Sequence, residues 1–120
     1  MIKNTLAFFL LFAAVQSYAQ APGSLDFSFG NKGKVITSIN TGEDKAMSGI
    51  LQSDGKLLVA GFTVSSITGK DFLLLRYKSN GDLDSSFGTN GIVLSDYDNG
   101  KQDELMVVKV HALSGKIIVG

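Results

Sequence analysis

Hydrophobic positions in this chain fall into short runs separated by polar turns. "KLLVAGFTV" (56–64) is almost continuously apolar, the pattern of a strand covered on both faces. "FLLLRYKS" (72–79) begins apolar and ends charged, as a strand does on leaving a core for solvent. "KVITSI" (34–39) is rich in β-branched residues and predicts another strand. In "AMSGILQ" (46–52) the alternation predicts Met47, Gly49 and Leu51 on one face and Ala46, Ser48 and Ile50 on the other. Asp54-Gly55 separates two of these runs and predicts a two-residue hairpin loop with both residues at positive φ. Asn80-Gly81 and Asn90-Gly91 are turn signals of the same kind. No helical stripe competes with these runs after residue 19, so the fold class is all-β.

The runs repeat. "GSLDFSFGNKG" (23–33) returns as "GDLDSSFGTNG" (81–91), with seven of eleven positions identical at an offset of 58. "DGKLLVAG" (54–61) returns as "SGKIIVG" (114–120), now at an offset of 60. A two-residue insertion around "DNGKQDE" (98–104) accounts for the change, and insertions are tolerated in surface loops rather than strands. The predicted organisation is therefore a short linker at 20–24, repeat 1 at 25–82 and a truncated repeat 2 at 83–120. Four short strands per unit match one four-stranded antiparallel blade of a β-propeller. In that arrangement "IVLSD" (92–96) finishes the blade built from 46–52, 56–64 and 72–79. Its equivalent, 34–39, has no such strands ahead of it and is expected to supply the outer strand of the final blade. Leu83 and Phe87 are expected to plug the seam between blades, and Asp84 to cap local N–H groups as an Asx turn.

The phrases "LDFSFGNKGKV", "SDGKLLVAGF" and "DFLLLRYKSNGDLDSSFG" resemble the bacterial delta-60 repeat family. The likeness runs from residue 20 onward, over one full unit and part of the next. It implies tandem blades of a β-propeller and implies no activity, because no function is assigned to that family. Ser114 departs from its pattern, which favours Asp there.

A propeller closes with typically four to eight blades. Residues 20–120 supply fewer than two, so the expectation is the N-terminal portion of a longer protein whose remaining blades are its first partners.

Residues 1–19 change the picture again. Lys3, the apolar run Leu6–Val15 and the small residues Ser17 and Ala19 form a Sec-type signal peptide with cleavage expected after Ala19. Ten apolar residues are too few for a membrane span at 1.5 Å each. The expected location is secreted, periplasmic or cell surface, and with no Cys the mature chain has neither disulfides nor a lipid-bearing thiol. Lys3 leaves with the leader, so ten basic side chains face eleven acidic ones. That balance gives no footprint for nucleic acid and no basic patch for a membrane surface.

Candidate chemistry is thin. His111 is the sole imidazole, and Lys109 beside it in "LMVVKVHAL" predicts the solvent side of a strand rather than a catalytic position. Asn80, Asp82 and Asp84 alternate as oxygen donors in a calcium loop do, which makes them a weak metal candidate. The first copy lacks the Asp82 equivalent, and turn chemistry accounts for the same residues. Asp96, Asp98, Asp103 and Glu104 read as a solvated acidic loop rather than paired carboxylates of a glycosidase. No cofactor motif is present. The expectation is a non-enzymatic propeller that binds an extracellular protein or glycan, or scaffolds a cell-surface assembly. The alternative is an enzyme acting on extracellular polysaccharide, with its catalytic groups on other blades. Exported proteins of Bacteroidetes-type bacteria, which often carry a C-terminal sorting domain, are implied by the resemblance alone.

Overall fold

A computed structural model describes residues 21–96 and 106–120. The signal peptide expected at 1–19 and the acidic stretch Asp98, Asp103 and Glu104, with the two-residue insertion beside it, lie outside the described residues. Within them there are six strands and no helix. β1 (Asp44–Leu51), β2 (Leu57–Ser65), β3 (Gly69–Tyr77) and β4 (Ile92–Ser95) form one antiparallel sheet in sequential order. β5 (Val108–Val110) and β6 (Ile117–Val119) form a second, two-stranded sheet.

The fourth strand comes from beyond the repeat boundary: Phe72 to Leu75 of β3 pair with Ser95 to Ile92 of β4. This is the blade anticipated from the repeat. β2 and β3 are its centre, and their side chains divide strictly between two faces. Leu58, Ala60 and Leu74 form one buried cluster, joined by Phe72, Phe87 and Val93. Leu73, Leu75 and Tyr77 form the other, with Leu57, Val59 and Leu83. The first cluster also takes in Val108 from β5, flanked by Val110 and Ile117, so the second sheet begins to cover the first. Burial of such side chains is worth about 1.5–3 kcal/mol each, which makes this two-sided strand pair the main source of stability.

Several local expectations are corrected. Ala46 does not share a face with Ser48 and Ile50, because a β-bulge between Ala46 and Ser48 shifts the register there. Ala46 thereby pairs with Gly61 and joins the side of Gly49 and Leu51, and Met47 is the extra residue. Gly61 is what allows the bulge: a Cβ there would stand 1.8 Å from the Lys45 carbonyl oxygen. The turn after β1 holds three residues, not two. Gln52 N–H donates to Lys56 O at 2.7 Å, and Gly55 alone has positive φ while Asp54 does not. A three-residue loop closed by a left-handed glycine is the second commonest hairpin device. Asn90-Gly91 does form the predicted two-residue turn, with φ of 53° and 93° and paired hydrogen bonds between Thr89 and Ile92.

Residues 35–39 belong to no ladder. A strand needs a partner, and none lies beside them among the described residues. They are still extended in character: Val35, Thr37 and Ile39 turn inward while Ile36, 94% exposed, turns out. Val35 and Ile39 pack on the Leu73–Leu75–Tyr77 face, and the Thr37 hydroxyl lies 2.7 Å from that of Tyr77.

Candidate functional site

Two features of the blade gather polar chemistry. The first is the junction between the two recurring phrases. Asp84 follows Leu83, which pairs with Tyr77 at the end of β3, and the backbone N–H of Asp84 donates to Arg76 O at 2.8 Å. That placement turns the carboxylate inward, where only 4% of the residue remains exposed. It accepts from the Ser86 hydroxyl at 2.8 Å, from Ser86 N–H at 3.2 Å and from Arg76 Nε at 2.8 Å. Lys56 Nζ stands 3.1 Å away. The Arg76 guanidinium also lies over the Phe87 ring, 4.5 Å from its centre. Ser86 holds the Asp84 carboxyl well below the usual carboxylate range, helped by Lys56 and Arg76 and opposed by burial. A carboxylate locked in this way is a joint. It has no proton to give and no free oxygen for a substrate.

This joint was half legible. Asp84 caps Ser86 as the Asx turn expected of it, but Arg76 and Lys56 carried no signal as its partners. The signal lay in the co-occurrence of the two phrases, since Lys56 comes from "DGK" and Asp84 from "LDSSFG". Phe87 packs on the cluster that includes Val108, as a seam plug should. Leu83 instead lies on the opposite face, against Leu73, Leu75 and Tyr77. The reason is the turn between them, closed by the Phe87 N–H donating to Asp84 O at 3.0 Å, which sends the two side chains to opposite sides of the sheet.

The second feature is a cavity of about 260 Å³ between residues 29–37 and the Leu73–Leu75–Tyr77 face. Its walls are Phe29, Val35, Leu57, Val59 and Gly61, with Thr37, Asp44 and the Tyr77 hydroxyl as polar points. Asp44 is engaged at both oxygens: it accepts from Thr63 Oγ1 and from Ile39 N–H at 2.9 Å. The walls are mostly apolar, so the cavity suits a hydrophobic side chain better than a polar small molecule.

The remaining candidates are dispersed. Asn80 and Asp82 meet through a 2.8 Å hydrogen bond at an exposed turn, but Asp84 turns away into the joint. The three therefore do not form one ligand set, and among the described residues no group of three acidic, His or Cys side chains could hold a metal. His111 is exposed just after β5. Its Nδ1 lies 2.9 Å from the Ser114 hydroxyl and accepts from Ser114 N–H at 3.3 Å, which closes a four-residue turn. Ser114 takes the place of Asp54, and its Oγ accepts from Lys116 N–H as Asp54 does from Lys56 N–H. Among the described residues no helix is long and apolar enough to cross a membrane.

Comparison with known proteins points the same way as the geometry. No curated protein and no solved structure matches the chain. Residues 52–87 match a family described as a domain of unknown function (DUF5122) beta-propeller. The matched stretch starts at Gln52, before the "DGK" turn, and ends at Phe87, so it contains both halves of the joint, Lys56 and Arg76 with Asp84. This all-β chain is thus built as four-stranded β-propeller blade repeats, similar over that stretch to a propeller family to which no function is assigned.

Proposed function

We propose that the protein is an exported, non-enzymatic β-propeller scaffold, in which the repeat phrases build the ring and the loops between strands hold an extracellular protein or glycan. The delta-60 repeat resemblance supports the family part of this reading, and the leader expected at 1–19 supports export. The observation that carries the scaffold role is the fate of the motif residues. Lys56, Arg76, Asp84 and Phe87 are spent on joining one repeat to the next. Function in such a ring belongs to the variable loops at its edges.

Expression with the leader in a Gram-negative host tests export: the mature protein should appear outside the cytoplasm with Gln20 at its N-terminus. A glycan array and capture from cell-envelope fractions test binding. Release of reducing ends from extracellular polysaccharide by the purified protein would contradict the non-enzymatic reading.

A further inference from the structure

Among the described residues a glycine follows an asparagine at Asn80-Gly81 and at Asn90-Gly91. A third such pair, Asn99-Gly100, lies outside the described residues. In this dipeptide no glycine side chain shields the backbone nitrogen, so that nitrogen can attack the asparagine carboxamide. The two described pairs are alike in several respects. Both asparagines are exposed and both glycines are buried. Gly81 N–H donates to Lys78 O at 3.0 Å, and Gly91 N–H to Phe87 O at 2.8 Å. They differ in backbone and side chain. Asn90 is held at a φ of 53°, in the left-handed region, where its side chain and the following nitrogen stand on opposite sides of the Cα–C bond. Asn80 is not in that region. Its Oδ1 accepts from Asp82 N–H at 3.1 Å, and its Nδ2 donates to Asp82 Oδ2 at 2.8 Å. A carboxamide bonded two residues ahead is folded over the intervening Gly81 peptide.

The same loop is where the first recurring phrase is fastened. Gly30 N–H donates to Asn80 O at 2.8 Å. Gly81, with a φ of 90°, fits so closely that a Cβ there would stand 2.6 Å from Gly30 N and 3.0 Å from Val35 Cγ2. The Asn80–Gly81 peptide is thus the seat of residues 30–35 on the blade, and a change in its length is felt there.

We propose that Asn80 is a site of spontaneous deamidation that releases the first phrase from the blade. Gly81 N gives its proton to solvent and bonds to Cγ of Asn80. The Cγ–Nδ2 bond breaks, and that nitrogen leaves as ammonia. Water then opens the cyclic imide, at one carbonyl to give an ordinary aspartate and at the other to give isoaspartate. The balance is asparagine and water going to aspartate or isoaspartate and ammonia, with no oxidant or further reactant. The main chain of isoaspartate runs through Cβ and Cγ. It is therefore longer by one methylene between residues 80 and 81, and the carbonyl that holds Gly30 N–H becomes a free carboxylate on a branch. Either product replaces the donor that faces Asp82 with an acceptor of like charge.

Incubation of the mature protein in mildly alkaline buffer tests it, since the attacking nitrogen must lose its proton. Peptide mass spectrometry follows each asparagine, and labelling by an isoaspartyl methyltransferase separates isoaspartate from aspartate. The same protein unfolded in urea gives the rates that sequence alone sets. Amide hydrogen exchange on the products, resolved by anion exchange, reads the contact at Gly30. Folded protein should convert Asn80 several-fold faster than Asn90, while the unfolded chain converts the two at similar rates. The isoaspartate form should lose protection at Gly30 and keep it in β2 and β3. Asn80→Ser should abolish both the conversion and the loss of protection with time. Asn80 intact in folded protein after the unfolded chain has converted, or Asn90 converting as fast, overturns the proposal. So does isoaspartate at position 80 with Gly30 still protected, or a loss of protection that persists in Asn80→Ser.

Discussion

Lys56 Nζ lies 3.1 Å from the carboxylate of Asp84, so the lysine of one recurring phrase is bound to the aspartate of the other. The two phrases therefore recur together because they are two sides of one contact between successive repeats. Arg76, 2.8 Å from the same carboxylate, anchors the contact to the central strand pair. Removing one partner of such a group leaves the others facing an unbalanced charge.

Asp84→Asn should lower the melting temperature distinctly more than Asp26→Asn. The second aspartate caps only its own turn at an exposed position, while the first also balances Lys56 and Arg76. Differential scanning fluorimetry of the two variants beside the parent checks the order. Equal shifts would show that the joint adds nothing beyond turn capping.

The same carboxylate makes stability depend on pH in a definite direction. Its folded pKa lies below the ordinary value of 3.8, so the folded state binds fewer protons there than the unfolded one. Its contribution is therefore present in full above that ordinary value and is lost as pH falls below it toward the folded value. Urea melts of the parent and Asp84→Asn should differ most near neutrality and converge in acid. A gap that widens in acid would contradict the assignment.

Gly88→Ala should destabilise by at least about 1 kcal/mol, the cost of a left-handed backbone for an L-residue. Gly88 has a φ of 51°, and a Cβ there would stand 2.3 Å from the Ile92 carbonyl oxygen. The equivalent Gly30 is equally confined, by the Lys34 carbonyl oxygen. Chemical denaturation measures the loss, and a neutral alanine would show that the phrase is not held in this turn.

Leu74→Ala should cost about 2–5 kcal/mol, whereas Ile36→Ala should stay within about 0.5 kcal/mol. Leu74 is 7% exposed at the centre of the cluster beneath β5, and Ile36 is 94% exposed on a segment that has no partner strand among the described residues. Urea midpoints of the two variants separate buried from exposed aliphatic positions. A costly Ile36→Ala would mean that residues 34–39 are covered in solution.

Much of this architecture was readable from the chain because period-two alternation and turn residues are local properties. β2 and β3 announce themselves through apolar runs long enough to be covered on both faces, and Asn90-Gly91 forms the tight turn its sequence predicts, whereas Asn80-Gly81 sits in a three-residue loop closed by Lys78 N–H donating to Asp82 O. The fourth strand was also readable, since 92–96 repeats 34–39. What escaped is what depends on neighbours in space. The bulge that turns Ala46 over arises from how closely Lys45 approaches Gly61. The three-residue loop at Asp54 follows from the register of β1 on β2. The charges of Lys56 and Arg76 looked like ordinary strand ends until Asp84 was seen between them. Sequence alternation also grouped Asn80, Asp82 and Asp84, but Asp84 is held between Lys56 and Arg76 while Asn80 and Asp82 bond to each other at an exposed turn.

The central claim is that a blade is completed across the repeat boundary, with β4 at 92–95 as the fourth strand on β3. Cross-strand nuclear Overhauser effects measured on uniformly labelled mature protein test it most directly. The account predicts antiparallel contacts in the register Phe72–Ser95, Leu73–Leu94, Leu74–Val93 and Leu75–Ile92. Finding residues 34–39 hydrogen-bonded beside β3 in their place would contradict it.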